Sequence, residues 1–228
     1  MQIKTLTLAA VVFVQMAQHA NAVPYDWVDW TSATNNTASG SVLGIDVTFS
    51  GAINPPAQTA GGTNFWASNP STYTSPEVDN GPPDSDIIRT SATGTFSLEF
   101  SQPVTNPVMA LLSVGNLNSG ATYVFGDEDV EVLSSGPGFF GNGTLVELAN
   151  NTILGNEGHG LIRLNGTFTG LDWDLPTAEF WHGFQIGIAS DQPTAVPEPA
   201  TLAILGLGLV GIRAMTVRKR RQALKKRL

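Results

Sequence analysis

The chain has 228 residues and no cysteine, and its 19 acidic residues outnumber 11 lysines and arginines. All nineteen carboxylates fall between Asp26 and Glu198, where Arg89 and Arg163 are the only cations, so this stretch carries a net charge of −17 while the whole chain carries −8. So acidic a body repels phosphates, which excludes nucleic-acid binding, and the missing cysteines exclude a disulfide framework and thiol nucleophiles.

In chain order, Lys4, the apolar run 6–16 and the small-residue site Ala20-Asn21-Ala22 predict a secretory signal peptide over residues 1–22, cleaved before Val23. Retention as an N-terminal anchor is the alternative. Residues 23–195 form the body, a length that suits one domain with a substantial core. Tyr25-Asp26-Trp27-Val28-Asp29-Trp30 alternates aromatic and carboxylate residues as a half-buried strand does, and a polar Thr/Asn/Ser linker follows. Leu43, Ile45, Val47 and Phe49 alternate with Gly44, Asp46, Thr48 and Ser50, so a strand there buries one face and wets the other. Residues 52–85 are rich in Pro, Gly, Asn, Ser and Thr. A run of that length without periodicity is read as a functional loop, a partly hidden strand pair or a mobile segment.

Regular strand signals begin at Gly94. Phe96, Leu98 and Phe100 alternate with polar residues, 102–107 breaks the pattern, and 108–114 is the continuous apolar run that a fully buried strand needs. Segments 122–125, 130–133, 145–148, 161–168, 171–173 and 184–188 follow, with Gly, Pro, Asn or Asp between them. No stretch of the body has sustained helical periodicity. The expected fold class is all-β: an antiparallel β-sandwich, jelly-roll-like, of about eight to ten strands.

Residues 196–228 have a different signature. Residues 200–212 carry no charge, and Arg213, Arg218, Lys219, Arg220 and Arg221 crowd in behind them as a basic stop-transfer cluster. Those thirteen residues, at about 1.5 Å each, cover only about 20 Å of a hydrocarbon layer roughly 30 Å thick. A transmembrane helix must therefore continue through 214–217, with Arg213 snorkelling toward the headgroups. The positive flank places the C-terminus in the cytoplasm and the body outside. The alternative is a buried C-terminal helix with a solvated basic end.

Val196-Pro197-Glu198-Pro199, the Gly/Leu-rich span and the Arg/Lys cluster, in that order, resemble the PEP-CTERM sorting signal of exported proteins of Gram-negative bacteria. The resemblance implies recognition by an exosortase, a membrane cysteine protease that cuts near the Pro-Glu-Pro. It also implies passage through the inner membrane, transient anchoring by the C-terminal helix, and a final place at the cell surface or in the extracellular matrix with exopolysaccharide. The tail departs from the family pattern by continuing through Gln222 to Leu228. The body resembles a recurrent PEP-CTERM ectodomain at Gly61-Gly62-Thr63-Asn64-Phe65-Trp66, Val78-Asp79-Asn80-Gly81-Pro82-Pro83, Leu133-Ser134-Ser135-Gly136-Pro137-Gly138, Glu157-Gly158-His159-Gly160 and Trp181-His182-Gly183-Phe184, which implies a β-rich fold and no particular activity.

Residue chemistry narrows the function further. Only His159 and His182 remain after signal removal, and there is no Gly-x-Ser-x-Gly or His-Glu-x-x-His, so a serine triad and a zinc hydrolase both lack their usual spacing. His159 is read as a turn residue and His182 as a strand-entry or rim residue. Asp79, Asp84 and Asp86, and separately Asp127, Asp129 and Glu131, concentrate the oxygen ligands that calcium takes, with solvated turn carboxylates as the alternative. Trp66, Tyr73, Trp173 and Trp181 are candidate sugar platforms, with core positions as the alternative. Phe139 and Phe140 are the first ligand-binding candidates, because adjacent rings in a Gly/Asn-rich turn do not easily both point inward. The reading is a non-enzymatic surface or matrix protein; a lectin-like glycan-binding module and a carboxylate-dependent glycan hydrolase are its alternatives.

Overall fold

A computed structural model describes residues 22–192. The expected signal peptide, sorting motif, transmembrane helix and basic cluster lie outside the described residues. Among the described residues no helix is long and apolar enough to cross a membrane.

Period-two patterning yields an all-β structure. The strands are β1 (Tyr25–Trp27), β2 (Asp29–Ala33), β3 (Thr37–Val42), β4 (Ile45–Ser50), β5 (Ile88–Thr90), β6 (Gly94–Thr105), β7 (Val108–Val114), β8 (Ala121–Val124), β9 (Asp129–Ser135), β10 (Thr144–Leu148), β11 (Thr152–Asn156), β12 (Gly158–Asn165), β13 (Thr167–Leu175) and β14 (His182–Ala189). One sheet runs β1-β14-β7-β12-β9 with β5 also paired to β14; the other runs β10-β11-β8-β13-β6-β4-β3-β2. The two sheets share one buried cluster, to which Phe49, Phe96 and Trp173 contribute from the eight-stranded sheet and Met109, Ile162 and Phe184 from the six-stranded sheet. Phe184 meets Phe49 edge-on at 5.3 Å and Trp173 at 5.6 Å. Each such contact adds about 0.5–1.5 kcal/mol beyond the area it buries.

The six-stranded sheet is covered on its outer face as well. Val108, Ala110, Leu112 and Leu161 pack there with Trp66, Tyr73, Val78 and Ile87. The covering segment is residues 52–87, which takes in the aperiodic run 52–85 and carries two 3-10 turns, Trp66–Ser68 and Pro70–Tyr73, and a bridge between Gln58 and Ile87. β7 and β14 are accordingly buried at every position, as a strand between two apolar layers must be. Of the three readings of this run, the packed cover comes nearest to a loop, but its rings are core rather than surface.

A buried polar network fastens the cover to both sheets. Gln185 lies inside β14, and a buried amide is tolerated only when its polar atoms are bonded. Its Oε1 accepts from Trp30 Nε1 at 2.8 Å, and its Nε2 donates to the Val28 carbonyl at 2.9 Å. Asp86 Oδ2 accepts from the Trp30 backbone N–H at 2.9 Å, and the Asp86 carbonyl accepts from Trp66 Nε1 at 3.2 Å. Trp30 belongs to the eight-stranded sheet, Gln185 to the six-stranded one, and Asp86 and Trp66 to the cover.

Several boundaries differ from expectation. Residues 25–30 do not form one strand: β1 joins β14 and β2 joins β3, so the chain changes sheets at Val28. The polar linker is β3, an edge-side strand whose apolar residues Ala38 and Val42 face inward. Leu43 is not a strand residue. Leu43 and Gly44 form the two-residue turn between β3 and β4, with φ of 53° and 75°, the left-handed pair that such hairpins need. β6 continues to Thr105 because Pro103 falls where the register with β13 shifts, between Phe168 and Gly170, so its missing N–H costs no ladder bond. β11 had no separate signal, and 161–168 divides at Gly166 into β12 and β13.

Burial raises the Asp86 carboxyl from 3.8 to about 6, with the Trp30 N–H opposing and Asp84 and Asp29 adding. A raised carboxyl binds its proton more tightly in the folded state, so its contribution is full below about pH 4 and is lost as pH rises through about 6. Asp86→Asn keeps an acceptor for Trp30 without the charge. Its melting temperature relative to the parent should therefore rise between pH 4 and pH 7; a difference constant across that range would show that the carboxyl titrates normally.

Candidate functional site

The site grows out of an irregularity where β7 meets β12. Two residues of β7, Leu112 and Ser113, stand opposite His159 alone, between the pairs Gly158–Val114 and Gly160–Leu111. Such a bulge re-aims a side chain. Ser113 takes a φ of 60° and Glu157, just ahead of β12, a φ of 58°, left-handed conformations that cost on the order of 1–3 kcal/mol each for a residue with a side chain. Ser113 Oγ donates to Glu157 Oε1, and the Ser113 N–H donates to His159 Nδ1 at 3.1 Å. His159 is therefore a fully buried strand residue, not the expected turn.

His159 in turn supports the aromatic turn 136–141. The backbone at Gly138 lies so close to the imidazole that a Cβ there would meet its Cγ at 2.2 Å. The same turn is held from the cover, where Thr72 Oγ1 donates to the Pro137 carbonyl at 2.6 Å and Asn69 Nδ2 donates to the Gly138 carbonyl at 3.3 Å. Phe139 and Phe140 remain 45% and 48% exposed on this anchored turn.

Four rings gather there. Phe65 of the cover meets Phe139 at 5.0 Å, Phe140 at 5.7 Å and Trp181 at 5.4 Å, and Phe140 meets Trp181 at 5.0 Å. Phe65, Phe140 and Trp181 form the aromatic wall of a cleft of about 500 Å³. Phe180, 96% exposed, stands at its edge. The polar lining comes from Arg89, Ser113, Asn116, Glu157 and Glu179. Glu157 is engaged with Ser113, and the Glu179 carboxylate faces His182 Nδ1. His182 opens β14 as expected for a strand entry, but it is buried beneath Tyr123 at 5.4 Å rather than on a rim.

The other expected residues lie elsewhere. Trp66, Tyr73 and Trp173 are buried and present no platform to solvent. Asp79 and Asp84 are exposed; Asp84 Oδ1 takes the Asp86 N–H at 3.0 Å, while the buried Asp86 carboxylate holds Trp30. In the second cluster Glu131 pairs with Arg163 at 2.6 Å, Asp129 Oδ2 accepts from Asn165 Nδ2 at 3.2 Å, and Asp127 is exposed. Among the described residues no three carboxylates or imidazoles converge as a metal site. Arg89, Glu179 and Phe180 carried no motif, and Glu157 entered only as the first residue of the resembling stretch Glu157-Gly158-His159-Gly160. The one signal available was that Arg89 is one of two cations in a body of nineteen carboxylates.

Burial holds the His159 imidazole down from 6.5 to about 4. A depressed imidazole contributes stability that is full above about pH 6.5 and is lost as pH falls toward 4, opposite in sign to Asp86. His159→Gln should flatten the acid side of the melting profile between pH 6.5 and pH 4. An unchanged slope there would mean that the imidazole is accessible to protons.

The family model of the PEP-CTERM protein-sorting motif matches residues 195–221. The chain thus carries an exosortase-dependent sorting signal. No curated protein and no solved structure matches the chain.

Proposed function

From the sorting motif at residues 195–221, we propose that this is an exosortase-processed surface or matrix protein whose sandwich binds a glycan of the surrounding exopolysaccharide. The observation that carries the binding reading is the aromatic cleft. Flat rings match the apolar C–H faces of sugars, and Asn116, Ser113 and the two carboxylates can accept or donate to ring hydroxyls. Anchoring of the Phe139–Phe140 turn by His159, Thr72 and Asn69 supports a preformed site, which lowers the ordering cost of binding. The jelly-roll reading of the sandwich is supported by the neighbours β6-β13-β8-β11 in one sheet and β7-β12-β9 in the other, with the chain alternating between sheets from β6 to β9.

Binding is tested on a glycan array with the full chain in detergent. Trp181→Ala and Phe140→Ala should each weaken binding by about tenfold, equivalent to about 1.4 kcal/mol for one ring face. Binding to no glycan, or binding unaffected by both variants, would refute the reading. Release of reducing sugar from the bound glycan would convert it to the hydrolase reading, with Glu157 and Glu179 as the carboxylates in the cleft.

Processing is a separate matter. In a host with exosortase the mature protein should begin at Val23 and lack the segment beyond Pro199, and in an exosortase-null host it should keep its basic tail. Mass spectrometry that finds tail peptides in the extracellular fraction of both hosts would remove exosortase from the account.

A further inference from the structure

The two cations of the described body are used differently. Arg163 is fully engaged, by Glu77, by Glu131 at 2.6 Å and by the Asn165 side chain at 2.8 Å. Arg89 has no carboxylate partner, and its buried Nε and Nη2 have no hydrogen-bond partner among the described residues. It lies in the three-residue strand β5, opposite Gly183, which offers no side-chain acceptor. Burial lowers its basicity, and no neighbouring acid counteracts that effect. Both carboxylates of the cleft already face other groups, Glu157 toward Ser113 and Glu179 toward His182. A desolvated guanidinium with unused donors destabilises a fold unless an anion reaches it. Arg89 lines the same cleft as Phe140 and Trp181.

We propose that Arg89 makes the cleft selective for a carboxylated sugar, a uronic acid residue whose carboxylate the guanidinium receives while the sugar face lies against Trp181 and Phe140. This rests on the glycan-binding reading and adds the class of sugar. A planar fork of N–H donors matches a carboxylate through two parallel bonds, a geometry that an ammonium group does not offer. The acidic body sets a second condition. Its long-range field repels an anionic glycan, and that repulsion is screened beyond about 8 Å at physiological ionic strength, whereas a contact inside the cleft is screened much less. Binding at Arg89 should thus strengthen from low salt to physiological salt, and binding to the basic tail should weaken.

The test is calorimetry on the full chain in detergent with trimers of galacturonate, mannuronate and glucuronate, each beside its carboxyl-reduced neutral counterpart. The parent should bind at least one uronate trimer tenfold or more tighter than its neutral partner. Arg89→Met should abolish that preference, keep the neutral affinity and melt no lower than the parent; Arg89→Lys should recover only part of the preference. If no uronate is preferred over its neutral partner while neutral trimers still bind, the Arg89 proposal falls and the glycan reading stands. Failure of every trimer to bind overturns both. A preference that survives Arg89→Met and fades with salt belongs to the tail. A variant that melts lower and loses both classes of ligand equally would make Arg89 a structural residue, and would equally overturn the proposal.

Discussion

The fold depends on the burial of both faces of its six-stranded sheet. One face meets the eight-stranded sheet and the other meets Trp66, Tyr73, Val78 and Ile87 from residues 52–87. A strand in that position has no solvent side, which is why β7 and β14 are buried throughout. With no cysteine to staple an irregular cover in place, hydrogen bonds must do it, and Gln185, Trp30, Asp86 and Trp66 form the clasp. Asn80 adds a second one, exchanging bonds with the Tyr25 backbone at 2.7 and 2.9 Å so that β1 and the cover hold each other.

The cleft lies where this double coverage gives way. The bulge at Ser113 places Ser113 and its partner Glu157 in the cleft lining, and the 136–141 turn brings its rings against Phe65 and Trp181. The left-handed Ser113 and Glu157 are held by their mutual bond and by His159, whose ring is fixed between Ser113 and Gly138. Strain of this kind persists only where the surroundings over-determine it. Core and cleft therefore share parts: His159 is a core residue that positions a surface turn, and Trp181 is partly rooted in the second core.

Location and chemistry are encoded in separate stretches. The segment matched at 195–221 bears on where the protein is delivered, while the charge of the body bears on what it can meet. With nearly every cation outside the body, the Arg89 guanidinium in the cleft lies against an acidic background, and its Nε and Nη2 have no hydrogen-bond partner among the described residues.

Some of this was legible in the residue order. Topogenic segments are read locally, from apolar length and flanking charge, so the sorting signal at the C-terminus needed no tertiary information. Strands with strict alternation, such as β4 beyond its turn and the middle of β6, and the uniformly apolar β7, were visible because a period of two or an unbroken apolar run is a local property. The aromatic turn was visible because two adjacent rings among glycines conflict with burial. What remained hidden was pairing at long range. Nothing near Trp66 or Tyr73 distinguishes a platform from a core residue until the outer face of β7 arrives to bury it. Nothing near Arg89, Glu157, Glu179 and Trp181 hints that β5, β12 and the entry to β14 bring them to one cleft. The sequence by itself determined the strand-forming periodicity, the acidic body and the sorting end, because each is carried by neighbours in the chain. The tertiary structure alone decided which rings are buried, which cation is left without a partner and where the cleft lies, because those depend on contacts between residues up to more than a hundred positions apart, such as Trp30 and Gln185.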